Sequence, residues 1–180
     1  RIGRQLTKLL LGSKNLEISA INDLSDSNTS SHLFKYDTSY GQFDGEVYSN
    51  ENQLIINGEK IHKISEKDPS KINWSNYDVD IVIESTGIFT NKSDAEKHLQ
   101  GTVKKVIISA PATDEDITIV LGVNDNAYDT NNHNIISNAS CTTNCVAPMV
   151  KVINDKFGIQ NALMSTIHSF TNDQSVLDQP

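Results

Sequence analysis

Residues 137–145, with the sequence SNASCTTNC, have the side chains and the setting that thiol chemistry needs. Residues 133–137 just before them predict a short strand, and the apolar spacing over residues 141–157 predicts a helix. Cys141 therefore stands where a strand ends and a helix begins. The free N–H groups and the positive dipole end of a helix stabilise an anion. We therefore expect the Cys141 thiol to ionise readily and to act as a nucleophile.

A base for this nucleophile is found further along the chain. His168 ends a second β-like run, residues 162–168, and a Cys at a helix start can meet a His at a strand end. Ser140 is suited to cap the helix, and Thr142 lies in its first turn. The alternative is structural, since most cysteines in such turns are small buried residues. Cys145, one helical turn beyond the dipole end, fits that packing role better than Cys141.

The motif SNASCTTNC followed by TIHSFTNDQ at residues 166–174 resembles the active site of phosphorylating glyceraldehyde-3-phosphate dehydrogenases. Both motifs occur in the family's order and separation, and the resemblance extends over the whole chain. It implies Cys141 and His168 as catalytic residues, with glyceraldehyde 3-phosphate and inorganic phosphate as substrates and NAD as cofactor. The product would be 1,3-bisphosphoglycerate, formed through a cysteine thioester in glycolysis. The substrate and phosphate ligands implied by the resemblance are Ser140, Thr142 and Thr171.

The N-terminal residues predict part of a dinucleotide site. Asp23 ends an alternating run and follows Gly3 by about 20 residues, where an acid accepts hydrogen bonds from ribose hydroxyls in βαβ units. By itself, an acid that ends a strand is more often a solvated turn residue. By resemblance, Arg1, Ile2 and Gly3 end the phosphate-binding loop. Asp23, together with Leu24 and Pro180, then favours NAD over NADP.

Two apolar runs predict parallel strands that lead into the same site. Residues 79–87 are nearly continuously apolar, as in a strand covered on both faces, and residues 105–109 form a second such strand. An open α/β sheet places its ligands at the carboxyl ends of its strands. By resemblance, further cofactor contacts come from Ser85, Thr86, Ser109, Lys67 and Asn172. Without the resemblance these are ordinary turn and loop residues.

Strands and helices alternate over the first 140 residues. This alternation predicts an α/β fold, a doubly wound Rossmann-type parallel sheet whose first strand is missing, followed by the start of an α+β catalytic domain. We place an incomplete NAD-binding domain at residues 1–140 and an incomplete catalytic domain at 141–180. Within the first, residues 53–64 predict a β-hairpin that turns at Asn57 and Gly58. The family's enzymes are nearly twice as long, so the chain resembles an internal fragment, which we expect to be inactive alone.

Composition narrows the possible partners and compartments. A net charge of −8 argues against nucleic acid or an anionic membrane as a partner, and no apolar run is long enough to span a bilayer. The two cysteines, one helical turn apart, are badly oriented for a disulfide and lack the His or carboxylate cluster of a metal site. We therefore expect no metal and a reducing, cytoplasmic location. By resemblance, the intact protein is expected to be a homotetramer.

Three other interpretations stay open on the sequence. Erythrose-4-phosphate dehydrogenase shares the Cys and the His, as well as the NAD-binding fold. An NADP-linked form of the same enzyme is disfavoured by Asp23, Leu24 and Pro180. The third interpretation is a non-catalytic dinucleotide-binding module.

Overall fold

The computed structural model describes residues 1–171, which belong to two compact units. The first unit comprises Arg1–Val79 together with the segment that begins at Ser169, and the second comprises Asp80–His168. Each unit has its own four-stranded sheet.

The first unit packs two helices with a mixed sheet. Its helices and strands are α1 (Ile2–Leu10), β1 (Ala20–Asn22), α2 (Ser27–Lys35), β2 (Tyr36–Asp37), β3 (Gly41–Gln42), β4 (Val47–Asn50), β5 (Gln53–Ile56) and β6 (Glu59–Ile64). The sheet order is β1-β6-β5-β4, in which β1 runs parallel to β6 and the other pairs are antiparallel. Strands β2 and β3 form a separate antiparallel pair. The core consists of Phe34, Leu54, Ile56 and Ile61.

The second unit contains an all-parallel sheet. Its helices and strands are β7 (Ile81–Glu84), α3 (Lys92–Ala95), β8 (Lys105–Ile108), β9 (Ile117–Thr118), β10 (Ile135–Ser137) and α4 (Cys141–Phe157). The strand order is β7-β8-β10-β9. Val106, Ile108 and Ile135 are fully buried in its core. The β-branched residues of β8 and β10 thus form the centre of the sheet, as their sequence predicts.

The fold class expected from the sequence is confirmed. The helix from Cys141, the hairpin at Asn57 and Gly58, and the parallel strands β7, β8 and β10 occur where they were predicted. Strand β1 is an end strand of the sheet in the first unit, and strand β7 is an end strand of the sheet in the second.

Three structural predictions are wrong. Residues 162–168 form no strand, because a β-ladder needs a partner and no other strand pairs with them in residues 1–171. Strand β7 is buried on one face only, since Ile81 and Ile83 are exposed. Cys145 is exposed rather than packed, because α4 has no buried residue at all and even Phe157 is 80% exposed.

The hairpin turn between β5 and β6 gives a direct test of the fold. Asn57 and Gly58 both have positive φ, 51° and 87°, and a Cβ at Gly58 would meet no atom within 4 Å. The substitution Gly58→Ala therefore costs only backbone strain. We expect it to lower the unfolding free energy of the full-length protein by about 1 kcal/mol, measured by urea denaturation. The control is Lys60→Ala at an exposed position of β6, and equal effects of the two substitutions would contradict the observed turn.

Candidate active site

The carboxyl ends of three neighbouring strands bring predicted site residues together in the second unit. Ser85 and Thr86 follow β7, Ser109 follows β8, and Cys141 lies just after β10. Backbone hydrogen bonds continue beyond the strands, from Ser109 N–H to the Glu84 carbonyl (2.9 Å) and from Asn138 N–H to the Ile108 carbonyl (2.9 Å). Because β7, β8 and β10 are parallel, these segments lie at one edge of the sheet.

Ser140 ends the turn from β10 and starts α4. Its backbone is extended (φ −90°, ψ 162°), and its Oγ accepts a hydrogen bond from Thr143 N–H at 2.9 Å. This is the N-cap predicted from the sequence. Cys141 is the first residue of the helix, and its side chain is exposed. The thiol therefore lies at the end of α4 where free N–H groups stabilise negative charge.

The structure brings Cys141 and His168 into contact. The Sγ atom of Cys141 lies 3.0 Å from Nε2 of His168. This hydrogen bond lowers the pKa of the Cys141 thiol below its ordinary value, and the hydroxyl and N–H of Thr142 lower it further. The pair is thus a thiol with a base in reach and with its charged form stabilised.

Two other residues predicted on the catalytic side lie in different settings. Thr142 is partly buried in the first turn of α4. Thr171 lies in an exposed segment without regular secondary structure and is grouped with the first unit. Asn172 and Pro180 lie outside the described residues, so their predicted roles remain untested.

Glu84 forms a buried network that sequence reasoning missed. It ends β7 and is 5% exposed, and its Oε2 lies 3.2 Å from Nε2 of His98, which is 4% exposed. The N–H and hydroxyl of Thr86 both donate to its Oε1, at 2.7 and 2.6 Å. Burial acts to raise the pKa of Glu84, but the hydrogen bonds from His98 and Thr86 outweigh it, so the pKa is lowered. The signal for such a network in the sequence was a glutamate within a run of apolar strand residues. A buried carboxylate needs hydrogen-bond partners.

Asp23 lies in the first unit, directly after β1. Its Oδ1 accepts hydrogen bonds from the N–H of Ser25 (2.8 Å) and from the Ser25 hydroxyl. Its backbone N–H donates to the Ile64 carbonyl at the end of β6 (3.0 Å), which fixes the residue at the carboxyl end of the sheet. Within residues 1–171, no hydrogen bond reaches Oδ2. The carboxylate thus keeps an acceptor that fits a ribose hydroxyl.

The other residues of the first unit that were predicted to contact the cofactor differ in their exposure and in their contacts. The Arg1 guanidinium is bound to the buried carboxylate of Asp37 at 3.0 Å. Ile2 and Gly3 form the first turn of α1, and Ile2 is half exposed. Lys67 is exposed on the loop after β6.

Other kinds of site receive no support in the described part of the chain. No group of three or more His, Cys, Asp or Glu side chains within residues 1–171 is arranged to hold a metal. Across the same residues, none of the helices has the length and apolar character needed to cross a membrane.

Comparison with known proteins shows the family of the chain. Residues 1–92 match the family described as glyceraldehyde 3-phosphate dehydrogenase, NAD binding domain, and residues 140–180 match its C-terminal domain. The whole chain is 58% identical to glyceraldehyde-3-phosphate dehydrogenase 1 of Bacillus cereus and 53% identical to the enzyme of Geobacillus stearothermophilus, in each case over 54% of the relative. It is 52% identical to the Thermotoga maritima enzyme, again over 54% of that protein. The chain thus spans about half the length of the curated relatives it matches, and it belongs to the glyceraldehyde 3-phosphate dehydrogenase family.

Proposed function

We propose that the full-length protein oxidises and phosphorylates glyceraldehyde 3-phosphate to 1,3-bisphosphoglycerate with NAD, as a step of glycolysis. The observation that carries this proposal is the 3.0 Å contact between Cys141 Sγ and His168 Nε2 at the start of α4. It occurs in a chain whose relatives bear the name of this enzyme. We assign residues 1–140 to the cofactor domain and residues 141–180 to the beginning of the catalytic domain.

The first half of the reaction needs a thiolate and a proton acceptor. The Cys141 thiolate attacks the aldehyde carbon, a C–S bond forms, and the imidazolium of His168 gives its proton to the new oxyanion. Neutral His168 then takes the hydroxyl proton back as hydride leaves the same carbon, which produces a thioester on Cys141. NAD, when bound, supplies the hydride acceptor.

The second half returns the enzyme to its starting state. An oxygen of inorganic phosphate attacks the thioester carbonyl, the C–S bond breaks, and an acyl phosphate is released. Cys141 leaves as a thiolate, which the protonated His168 and the first turn of α4 stabilise. The lowered pKa of Cys141 therefore helps both the attack and the departure of sulfur.

The chain carries a net charge of −8, which repels anionic substrates. Their phosphates therefore need hydrogen-bond donors close to them in the site. We assign Ser140 and Thr142 to the attacking phosphate, since both lie beside Cys141 at a helix start, where free N–H groups favour anions. We assign Thr171 to the phosphate of the substrate, on the family resemblance.

The cofactor assignment rests on polar groups at strand ends. Asp23 offers a free carboxylate oxygen to a ribose hydroxyl, and its charge would repel the 2′-phosphate of NADP. Ser85 and Ser109 offer hydroxyls at the edge that also carries Cys141, and Thr86, whose hydroxyl donates to Glu84, lies at the same edge. The other proposed contacts with NAD are Arg1, Ile2, Gly3, Lys67 and Asn172.

The assembled Cys141–His168 pair favours an enzyme over a non-catalytic binding module. The names of the relatives favour glyceraldehyde 3-phosphate over erythrose 4-phosphate as the substrate. We further propose a cytoplasmic homotetramer. The exposed apolar side chains of α4, such as Met149 and Phe157, agree with burial by further protein.

The two cysteines give a matched pair of variants in the full-length protein. Cys141→Ser should lower kcat by at least about a thousandfold, because a hydroxyl at this position is not ionised near neutral pH. Cys145→Ser, one helical turn away, should keep most of the activity. Steady-state oxidation of glyceraldehyde 3-phosphate measures both, and equal losses would mean that Cys141 is not the nucleophile.

His168→Asn tests the ion pair through the pH dependence of alkylation by iodoacetamide. Only the thiolate reacts, and the lowered pKa of Cys141 raises the fraction of thiolate at any given pH in the wild type. Without His168 the pKa rises, so the rate at pH 7 falls and the midpoint of the profile moves to higher pH. His62→Asn, at an exposed position of β6, is the control. An unchanged profile in His168→Asn would remove His168 from this role.

Asp23→Asn tests the choice of cofactor. Loss of the carboxylate should raise KM for NAD about tenfold, the size of one lost charged hydrogen bond. It should also reduce the preference for NAD over NADP, because the repulsion of the 2′-phosphate is removed. Asp44→Asn, on an exposed loop, is the control. An unchanged ratio of kcat/KM for the two cofactors would exclude Asp23 from the ribose site.

A further inference from the structure

The residue that precedes the helix cap has a strained backbone. Ala139 has φ +58°, in the left-handed region, and is 7% exposed. For a residue with a Cβ this conformation is unfavourable, whereas glycine adopts it freely. Ala139 lies two residues before Cys141, so its backbone angles set the direction in which the chain enters α4. The surrounding structure must therefore hold this residue in place.

A buried hydroxyl makes one of the contacts that hold Ala139. Ser137 is fully buried at the end of β10, and its Oγ accepts a hydrogen bond from Ala139 N–H at 3.1 Å. The same hydroxyl donates to the carbonyl of Ala110 at 2.8 Å. Ala110 directly follows Ser109 after β8. Ser137 therefore links the strained turn to the neighbouring segment at the same edge of the sheet.

The residues on either side of Ala139 are held by other groups. Asn138 N–H donates to the Ile108 carbonyl at 2.9 Å. The side-chain amide of Asn144, in α4, donates to the carbonyls of Asn138 (2.8 Å) and Ser140 (2.9 Å). The Asn138 carbonyl and the Ala139 N–H belong to one peptide group, which Asn144 holds at the carbonyl and Ser137 holds at the N–H.

We propose that Ser137 is a positioning residue for the nucleophile. Its hydroxyl selects the left-handed conformation of Ala139 and thereby fixes the start of α4, where Cys141 meets His168. Without the hydroxyl, Ala139 relaxes towards negative φ, and the Cys141 thiol turns away from the His168 imidazole. This inference rests on the proposed function only in taking Cys141 as the nucleophile.

The first variant is Ser137→Ala in the full-length protein. We expect it to slow the alkylation of Cys141 by iodoacetamide at pH 7 about tenfold, the size of one lost buried hydrogen bond. We expect kcat to fall by a similar factor, with a smaller change in KM for NAD. Mass spectrometry of the peptide that contains Cys141 reads the alkylation independently of turnover. Ser93→Ala, at an exposed position in the same unit, is the control and should react at the wild-type rate.

A second-site variant separates positioning from packing. Glycine has no preference for negative φ, so Ala139→Gly removes the strain that the Ser137 hydroxyl must oppose. We therefore expect Ser137→Ala to cost only about twofold in alkylation rate in the Ala139→Gly background, which is a coupling of the kind double-mutant cycles detect. If Ser137 acts only by packing, Ser137→Ala should cost as much or more in the Ala139→Gly background. Glycine adds chain entropy and restores no contact.

Each outcome of this cycle decides the proposal. Equal losses from Ser137→Ala in both backgrounds, or a wild-type alkylation rate in Ser137→Ala, would overturn it. If Ser137→Ala does not fold, recovery of folding by Ala139→Gly supports the proposal, and failure of both variants to fold overturns it. A wild-type protein whose Cys141 is alkylated rapidly but which does not oxidise glyceraldehyde 3-phosphate would contradict the proposed function alone.

Discussion

The hydrogen bond between the Cys141 thiol and the His168 imidazole is the interaction on which the proposed chemistry depends. A thiol is a weak nucleophile until it ionises, and the exposed Cys141 gains its lowered pKa chiefly from this bond. The bond requires the thiol to point in one direction, which the first turn of α4 sets. Ser140 caps that turn, and the parallel strands β8 and β10 anchor the segment before it. The end of β10 and the first turn of α4 thus determine where the Cys141 sulfur lies.

A buried carboxylate orders the loop after β7, at the same edge of the sheet. Leaving Glu84 unpaired in the interior would cost several kcal/mol, so its contacts with His98 and Thr86 are obligatory rather than incidental. They fix the turn that carries Ser85 and Thr86, the hydroxyls assigned to NAD. In the first unit, Asp23 is held by Ser25 through Oδ1, and no hydrogen bond from residues 1–171 reaches Oδ2. Both carboxylates thus order the loop that follows their strand.

Local pattern in the sequence predicted much of this arrangement. Helical spacing and a capping serine located α4 and its first residue, and the Asn57-Gly58 dipeptide between two strand-like runs located the hairpin. Other predictions failed because they depended on neighbours that no local pattern reveals. Residues 162–168 have the composition of a strand, but residues 1–171 contain no strand that pairs with them. The roles of Glu84 and Ser137 were missed for the same reason, since their partners lie on other segments of the chain.

The most direct test of the proposed chemistry is to trap the covalent intermediate on the full-length protein. The protein is mixed with glyceraldehyde 3-phosphate and NAD in the absence of inorganic phosphate, quenched in acid, digested and analysed by mass spectrometry. We expect an acyl group on the peptide that contains Cys141, and we expect it to disappear when phosphate is added before the quench. An acyl group on another residue, or NADH formation without any covalent intermediate, would contradict the assignment of Cys141 as the nucleophile.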